Sequence, residues 1–247
     1  MSNRGVPFAP NEWFHCFTRG VDKRKVFMDE EDGQRFQMLL YTCNNEKPIH
    51  VSDFSGRHKK PDSAKVFQLP RTKLLVDIAA YCLMPNHPHL LIREIDYGGI
   101  STFMQKLGTG YTMYFNKKYE RTGALFSGPF KSVHVEQDSH FRRVVNYIHA
   151  NPAELYEPGW KKGLIRNERR LKKLLGVYPF SSLPDYQNIE RAENAIVSTS
   201  ATTEILDKTP SFATLLKDAY DFYSRNKEFV DSFVDSDVRG THVKARP

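Results

Sequence analysis

Two pairs of side chains in this sequence are spaced for chemistry. His87 and His89 are separated by one residue, so on a strand both imidazoles leave the same side of the backbone and could chelate one cation, while Pro88 faces the other way. The ordinary alternative is two partly buried imidazoles satisfied by hydrogen bonds. The setting adds to the case for chelation, because the pair opens an apolar strand directly after the turn Met84-Pro85-Asn86, where a sheet can hold a site rigidly, but neither this pair nor the next decides the matter alone. Tyr147 and Asn151, in the run YIHANP, are four residues apart, which on a helix stacks a phenol and an amide on one face. Pro152 pushes the residue before it away from helical angles, so Asn151 belongs at the helix end. Packing for the tyrosine and a cap for the asparagine is the competing explanation.

The elements that must position these residues follow from periodicity. NEWFHCFTRG (11–20) is aromatic and partly alternating, which predicts a strand, and VDKRK after it a basic turn. A helix is expected from about Asp29, with Phe36, Leu39, Leu40 and Cys43 at helical spacing and acidic residues in its first turn. Residues 48–72 read as a long loop or exposed hairpin whose Arg57, Lys59, Lys60 and Lys65 could follow a phosphate backbone or simply be solvated. Two strands, 74–84 and 87–95, are joined tightly at Pro85-Asn86. A helix over 101–119 carries Phe103, Leu107, Tyr111, Tyr114 and Phe115, a strand spans 128–136, and a helix capped by Asp138 carries Phe141, Val144, Val145 and Ile148.

The order strand, helix, strand, strand, helix, strand, helix predicts an α+β fold: a ferredoxin-like (RRM-like) antiparallel sheet with helices on one face. Residues 1–160 form the expected core. Residues 161–247 form a C-terminal extension, partly helical, ending in an amphipathic helix near 211–234.

The 247 residues are 40% hydrophobic and 26% charged, which excludes a disordered chain. A net charge of +7 and a pI near 9.2 make a polyanion a natural partner without proving one. Cys16, Cys43 and Cys82 are far apart and form no CxxC, so neither a disulfide framework nor a zinc knuckle is suggested. With no apolar leader and no stretch near about 20 apolar residues, a cytoplasmic protein without membrane association is expected.

Several segments, taken in order, resemble one family. YCLMPNHPHLLI resembles the metal-binding strand of the HUH single-tyrosine transposases, in the REP-associated branch of the IS200-like transposase superfamily. FHCFTRGVDKRKVF is similar to that family's first strand and basic turn, RTGALFSGPFKSVHVE with HFRRVVNYIHANPAELYEPG to the approach and tyrosine helix, and YPFSSLPDY to the segment that follows. The likeness covers roughly 11–47 and 74–186, which is more specific than any single motif. The family usually has a bulky apolar residue between its histidines; Pro88 departs from that and puts the strand pairing there in question.

By this resemblance His87 and His89 fall on metal ligands, Asn151 on a third, amide-bearing ligand, and Tyr147 on the nucleophile. The implied activity is cleavage and rejoining of single-stranded hairpin DNA by transesterification through a 5′-phosphotyrosine. A phenol with a pKa near 10 needs a nearby cation to act at neutral pH. Two neutral imidazoles and an amide suit exchangeable Mg²⁺ or Mn²⁺ better than a closed structural zinc. Arg19, Arg24, Arg121, Lys131, Arg142 and Arg143 are the expected DNA phosphate contacts. His15, His134, His140 and His149 are read as structural. A homodimer is one expected state, since the family has dimeric and monomeric members, and nucleoid association follows from a DNA substrate. Two rival functions remain: a non-catalytic DNA- or RNA-binding regulator of the same fold, and a metal-dependent phosphodiesterase with water as nucleophile.

Overall fold

The computed structural model describes residues 6–51, 61–136, 138–198, 201–202 and 210–227. Arg57, Lys59 and Lys60, and the part of the last expected helix beyond residue 227, lie outside them. The secondary structure runs β1 (Trp13–Phe17), α1 (Glu30–Thr42), α2 (Ser63–Val66), β2 (Val76–Met84), β3 (His87–Glu94), α3 (Gly99–Lys118), β4 (Lys131–Val135), α4 (Asp138–Ala150), α5 (Ala153–Tyr156), α6 (Glu168–Gly176), α7 (Leu183–Tyr186) and α8 (Phe212–Arg225). Among the described residues no helix is long and apolar enough to cross a membrane.

The four strands form one antiparallel sheet in the order β2-β3-β1-β4. Strand alternation sends two different sets of side chains to its two faces. Phe14, Cys16, Tyr81, Leu83, Leu90 and Ile92 join α1 and α3 in one apolar cluster. Trp13, Ala80, Cys82, Met84 and Leu91 join α4 and α8 in another. The two crossover helices therefore share one face, as the βαββαβ order requires, but the helices are not confined to it. α4, the helix after β4, takes the opposite face together with α8, and the sheet is sandwiched. The reason is that β1, β2 and β3 are buried on both sides, so a second layer is needed to cover the remaining face.

The local determinants are specific. Asp29 caps α1, its carboxylate accepting the Asp32 N–H at 3.0 Å. Asp138 is the first residue of α4 rather than the residue before it. The turn between β2 and β3 is anchored at both residues: the Pro85 carbonyl accepts the N–H groups of Val26 and Phe27, and the Asn86 carbonyl accepts that of Gly20.

Pro88 pairs in register with Leu83. The Leu83 N–H points the other way and donates to the Phe180 carbonyl at 2.8 Å, and β1 pairs with β3 only as far as His89. The missing N–H of Pro88 thus leaves no ladder position empty. The segment YPFSSLPDY covers the outer edge of β2. Besides the Phe180 contact, Ser182 donates its N–H to the Tyr81 carbonyl and accepts the Tyr81 N–H at its hydroxyl, which removes an open edge from the sheet.

Candidate active site

β3 starts immediately after the turn, so His87 and His89 are fixed by its first two ladder positions on the α4 side. Both are buried, at 5% and 3% exposure, with ring centroids 4.7 Å apart and nearly perpendicular planes. Each has one ring nitrogen engaged. His87 Nδ1 lies 2.5 Å from the Asn86 side-chain oxygen, and His89 Nδ1 lies 3.0 Å from Nε2 of His15 on β1. The other nitrogen of each, Nε2, is buried and has no hydrogen-bond partner.

α4 crosses this face and places Tyr147 against His89 and His15. Its ring centroid is 5.7 Å from that of His89 and 6.1 Å from that of His15, both edge-on. The phenol oxygen is likewise buried without a partner. Three unpartnered polar atoms on one patch would each cost about 1–3 kcal/mol if nothing ever occupied the space between them. Asn151 sits where α4 ends, 1% exposed, and its side-chain amide donates to the Tyr147 carbonyl at 2.8 Å.

The electrostatics follow from burial. His15 and His87 are pushed down to about 3, His87 by burial and then by the nearby cations Lys161 and Arg19, and His89 is pushed well below its ordinary value by burial and by His87. All three imidazoles are therefore neutral at neutral pH, the state in which a ring nitrogen can bind a metal. Burial pushes the Tyr147 phenol well up, and the adjacent Asn151 amide works against that rise, close to the hydroxyl without being aligned to bond it. Lys161 reaches the site as half of a largely buried pair with Glu154, 2.8 Å apart, and its ammonium sits 5.3 Å from the Tyr223 ring.

Among the expected phosphate contacts, Arg19 and Lys131 line one cleft of about 330 Å³ with Phe17, Thr18, Lys23 and Ser127. Of its lining residues, Phe17 has its ring 6.0 Å from that of His89. Arg24 is exposed and paired with Asp22 at 3.1 Å. Arg121 bonds Asn116 and the Ala124 carbonyl and does not line the cleft. Arg142 is exposed on α4, and Arg143, one turn before Tyr147, is half-buried.

His149 is buried against the Ser182 hydroxyl at 2.9 Å, and His134 pairs with Glu12 at 2.7 Å. The contact between His15 and His89 is not predicted from sequence, because nothing in WFHCF reveals which residue of β3 it pairs beside. Only the alternation that puts His15 between Trp13 and Phe17 hints at a shared face.

The helix carrying Tyr147 lies against the strand carrying the paired histidines, and this region has a counterpart among known proteins. Residues 54–151 match the family model described as "Transposase IS200 like", a span containing His87, His89, Tyr147 and Asn151. That stretch, about 40% of the chain, is similar to the IS200-like transposases. Comparison with curated proteins gives no match. A solved structure titled "Structure of the REP associates tyrosine transposase bound to a REP hairpin" aligns with a TM-score of 0.48 and 11% identity, covering 78% of this chain and 90% of that one.

Proposed function

We propose that this protein is a transposase that cleaves and rejoins single-stranded DNA with Tyr147 as nucleophile and a divalent cation, Mg²⁺ or Mn²⁺, held by His87, His89 and Asn151. The observation that carries the reading is the set of three buried atoms without partners on one face of the sheet, Nε2 of His87, Nε2 of His89 and the Tyr147 hydroxyl. Among the described residues no trio of His, Cys, Asp or Glu side chains is arranged to hold a metal, so the donors on offer are two neutral imidazoles and an amide. That set suits an exchangeable cation in an open site and not a closed structural zinc. A bound cation would polarise the scissile phosphate and lower the cost of the phenolate.

The residues then have separate tasks. Tyr147 loses its proton and its oxygen forms a bond to phosphorus; the bond from phosphorus to the 3′ oxygen breaks, and that oxygen leaves as a 3′-hydroxyl after taking a proton. The strand remains joined to Tyr147 as a 5′-phosphotyrosine. A second 3′-hydroxyl reverses the exchange, so no external energy is needed. Lys161, largely buried beside the histidines, offers a positive charge to the phosphate, and Arg19 and Lys131 guide the strand along the adjacent cleft. Hairpin DNA as the substrate form, nucleoid association and a homodimer belong to the same proposal on the family resemblance.

One observation favours a second reading, a regulator of this fold that binds without cutting: Tyr147 has no exposed surface. Incubating the full chain with labelled single-stranded hairpin DNA and Mn²⁺, then running a denaturing gel, separates the readings. A covalent adduct lost in Tyr147→Phe and in His87→Ala supports the nucleophile. Cleavage that survives Tyr147→Phe makes water the nucleophile and overturns it, and binding with no cleavage points to the regulator.

A further inference from the structure

The two histidines of the site are held in the same way by different partners. His87 Nδ1 faces the side-chain oxygen of Asn86 at 2.5 Å, an atom that can only accept, so this nitrogen carries the proton and Nε2 keeps its lone pair. His89 Nδ1 faces another imidazole, Nε2 of His15, at 3.0 Å with the two rings stacked 5.1 Å apart. One proton lies between those nitrogens, and it can belong to either. If it belongs to His15, His89 must carry its own proton on Nε2 and has no lone pair to offer toward the space under Tyr147. If it belongs to His89 Nδ1, Nε2 is free, as in His87.

We propose that His15 is a positioning residue for His89, accepting the His89 Nδ1–H and so holding that ring in the orientation and tautomer that present Nε2 as a ligand. The proposal rests on the metal reading of His87 and His89. Its placement is rigid: His15 lies in the middle of β1, 2% exposed, and β1 pairs with β3 so that Phe17 stands opposite His89 and His15 opposite Leu91, on the same face. His15 makes no use of its remaining nitrogen, since Nδ1 is buried without a partner, so nothing else in the structure accounts for an imidazole here in place of an apolar residue. Hydrogen-bond acceptors behind a ligating imidazole fix its tautomer, and their loss typically weakens metal binding by about 10–100-fold.

The test uses the full chain without DNA. Mn²⁺ titration followed by calorimetry, with wild type, His15→Leu and His15→Gln, should show affinity lowered about 10–100-fold in His15→Leu and largely retained in His15→Gln, whose side-chain oxygen can take the place of Nε2 as acceptor. ¹⁵N-resolved NMR of the metal-free wild type should show His89 protonated on Nδ1, a measurement that does not depend on any variant folding. His89 protonated on Nε2, or His15→Leu binding Mn²⁺ as tightly as wild type, overturns the positioning role and leaves the metal reading standing. A wild type that takes up no Mn²⁺ overturns the metal reading and this proposal with it.

Discussion

Phe222 of α8 lies against Tyr147 of α4, their ring centroids 4.6 Å apart, and both side chains are shut off from solvent. The contact is reinforced one turn away by the Asn146 amide, which donates to the Asp218 carboxylate at 2.8 Å. The tyrosine is therefore sealed by a helix that comes some 65 residues later in the chain. If Tyr147 is the nucleophile, Phe222 of α8 is one group that must move before a phosphodiester meets its hydroxyl.

Phe222→Ala should speed formation of the covalent DNA adduct, because it removes the ring that covers the phenol. Truncating a buried phenylalanine also costs about 3–5 kcal/mol, so urea unfolding of the variant should show a lowered midpoint alongside the faster adduct. An adduct rate equal to that of wild type would show that α8 is not the barrier.

Metal-free protein should lose stability on mild acidification. His15, His87 and His149 are each held at about 3 when folded, chiefly by burial, against an ordinary value of 6.5. The unfolded chain thus takes up protons that the folded chain refuses. The stabilisation is complete above about pH 6.5 and drains away as pH falls toward 3. Urea midpoints measured from pH 7.5 to pH 4 with a chelator present should fall steadily, and His149→Gln, which leaves the site histidines in place, should flatten part of the slope.

Mn²⁺ should raise the unfolding midpoint of the wild type. A ligand at a hundred times its dissociation constant adds about 2.7 kcal/mol of stability. Thermal melts with and without Mn²⁺ should differ in the wild type, converge on adding EDTA, and coincide throughout in His87→Ala.

Lys131→Ala and Arg19→Ala should weaken single-stranded DNA binding without regard to sequence. Each removed phosphate contact should lower the slope of log affinity against log salt by roughly 0.7 for a single strand. Fluorescence anisotropy across a salt series measures this. Arg121→Ala, whose guanidinium holds Asn116 and the Ala124 carbonyl instead of lining the cleft, should leave the slope unchanged.

Periodicity carries a large part of this fold. The alternation in HPHLLI puts two imidazoles on one side of a strand, and the stripes Phe103, Leu107, Tyr111 and Phe115 and Phe141, Val144, Val145 and Ile148 announce their helices. Spacing within an element does not say which face of a sheet that element will cover. The same stripe that buries α4 would serve on either side, and the decision belongs to the topology: α1 and α3 already occupy one layer, so α4 takes the other. His15 escapes notice for a related reason, since its partner lies 74 residues away and the link exists only through strand register. The seal formed by Phe222 is similarly invisible, because an amphipathic helix advertises an apolar face and not what it will lie on.

The histidine strand is β3, which has a hydrogen-bonded neighbour on each side, whereas α4 and α8 meet the sheet through side chains. Amide exchange should rank these elements accordingly, slowest in β3 and faster in the outer helices, as separate cooperative units of unequal opening energy. On the proposed reading, ligands in the most protected unit and a nucleophile in a less protected one would let the molecule breathe at Tyr147 while the imidazoles of His87 and His89 stay in register.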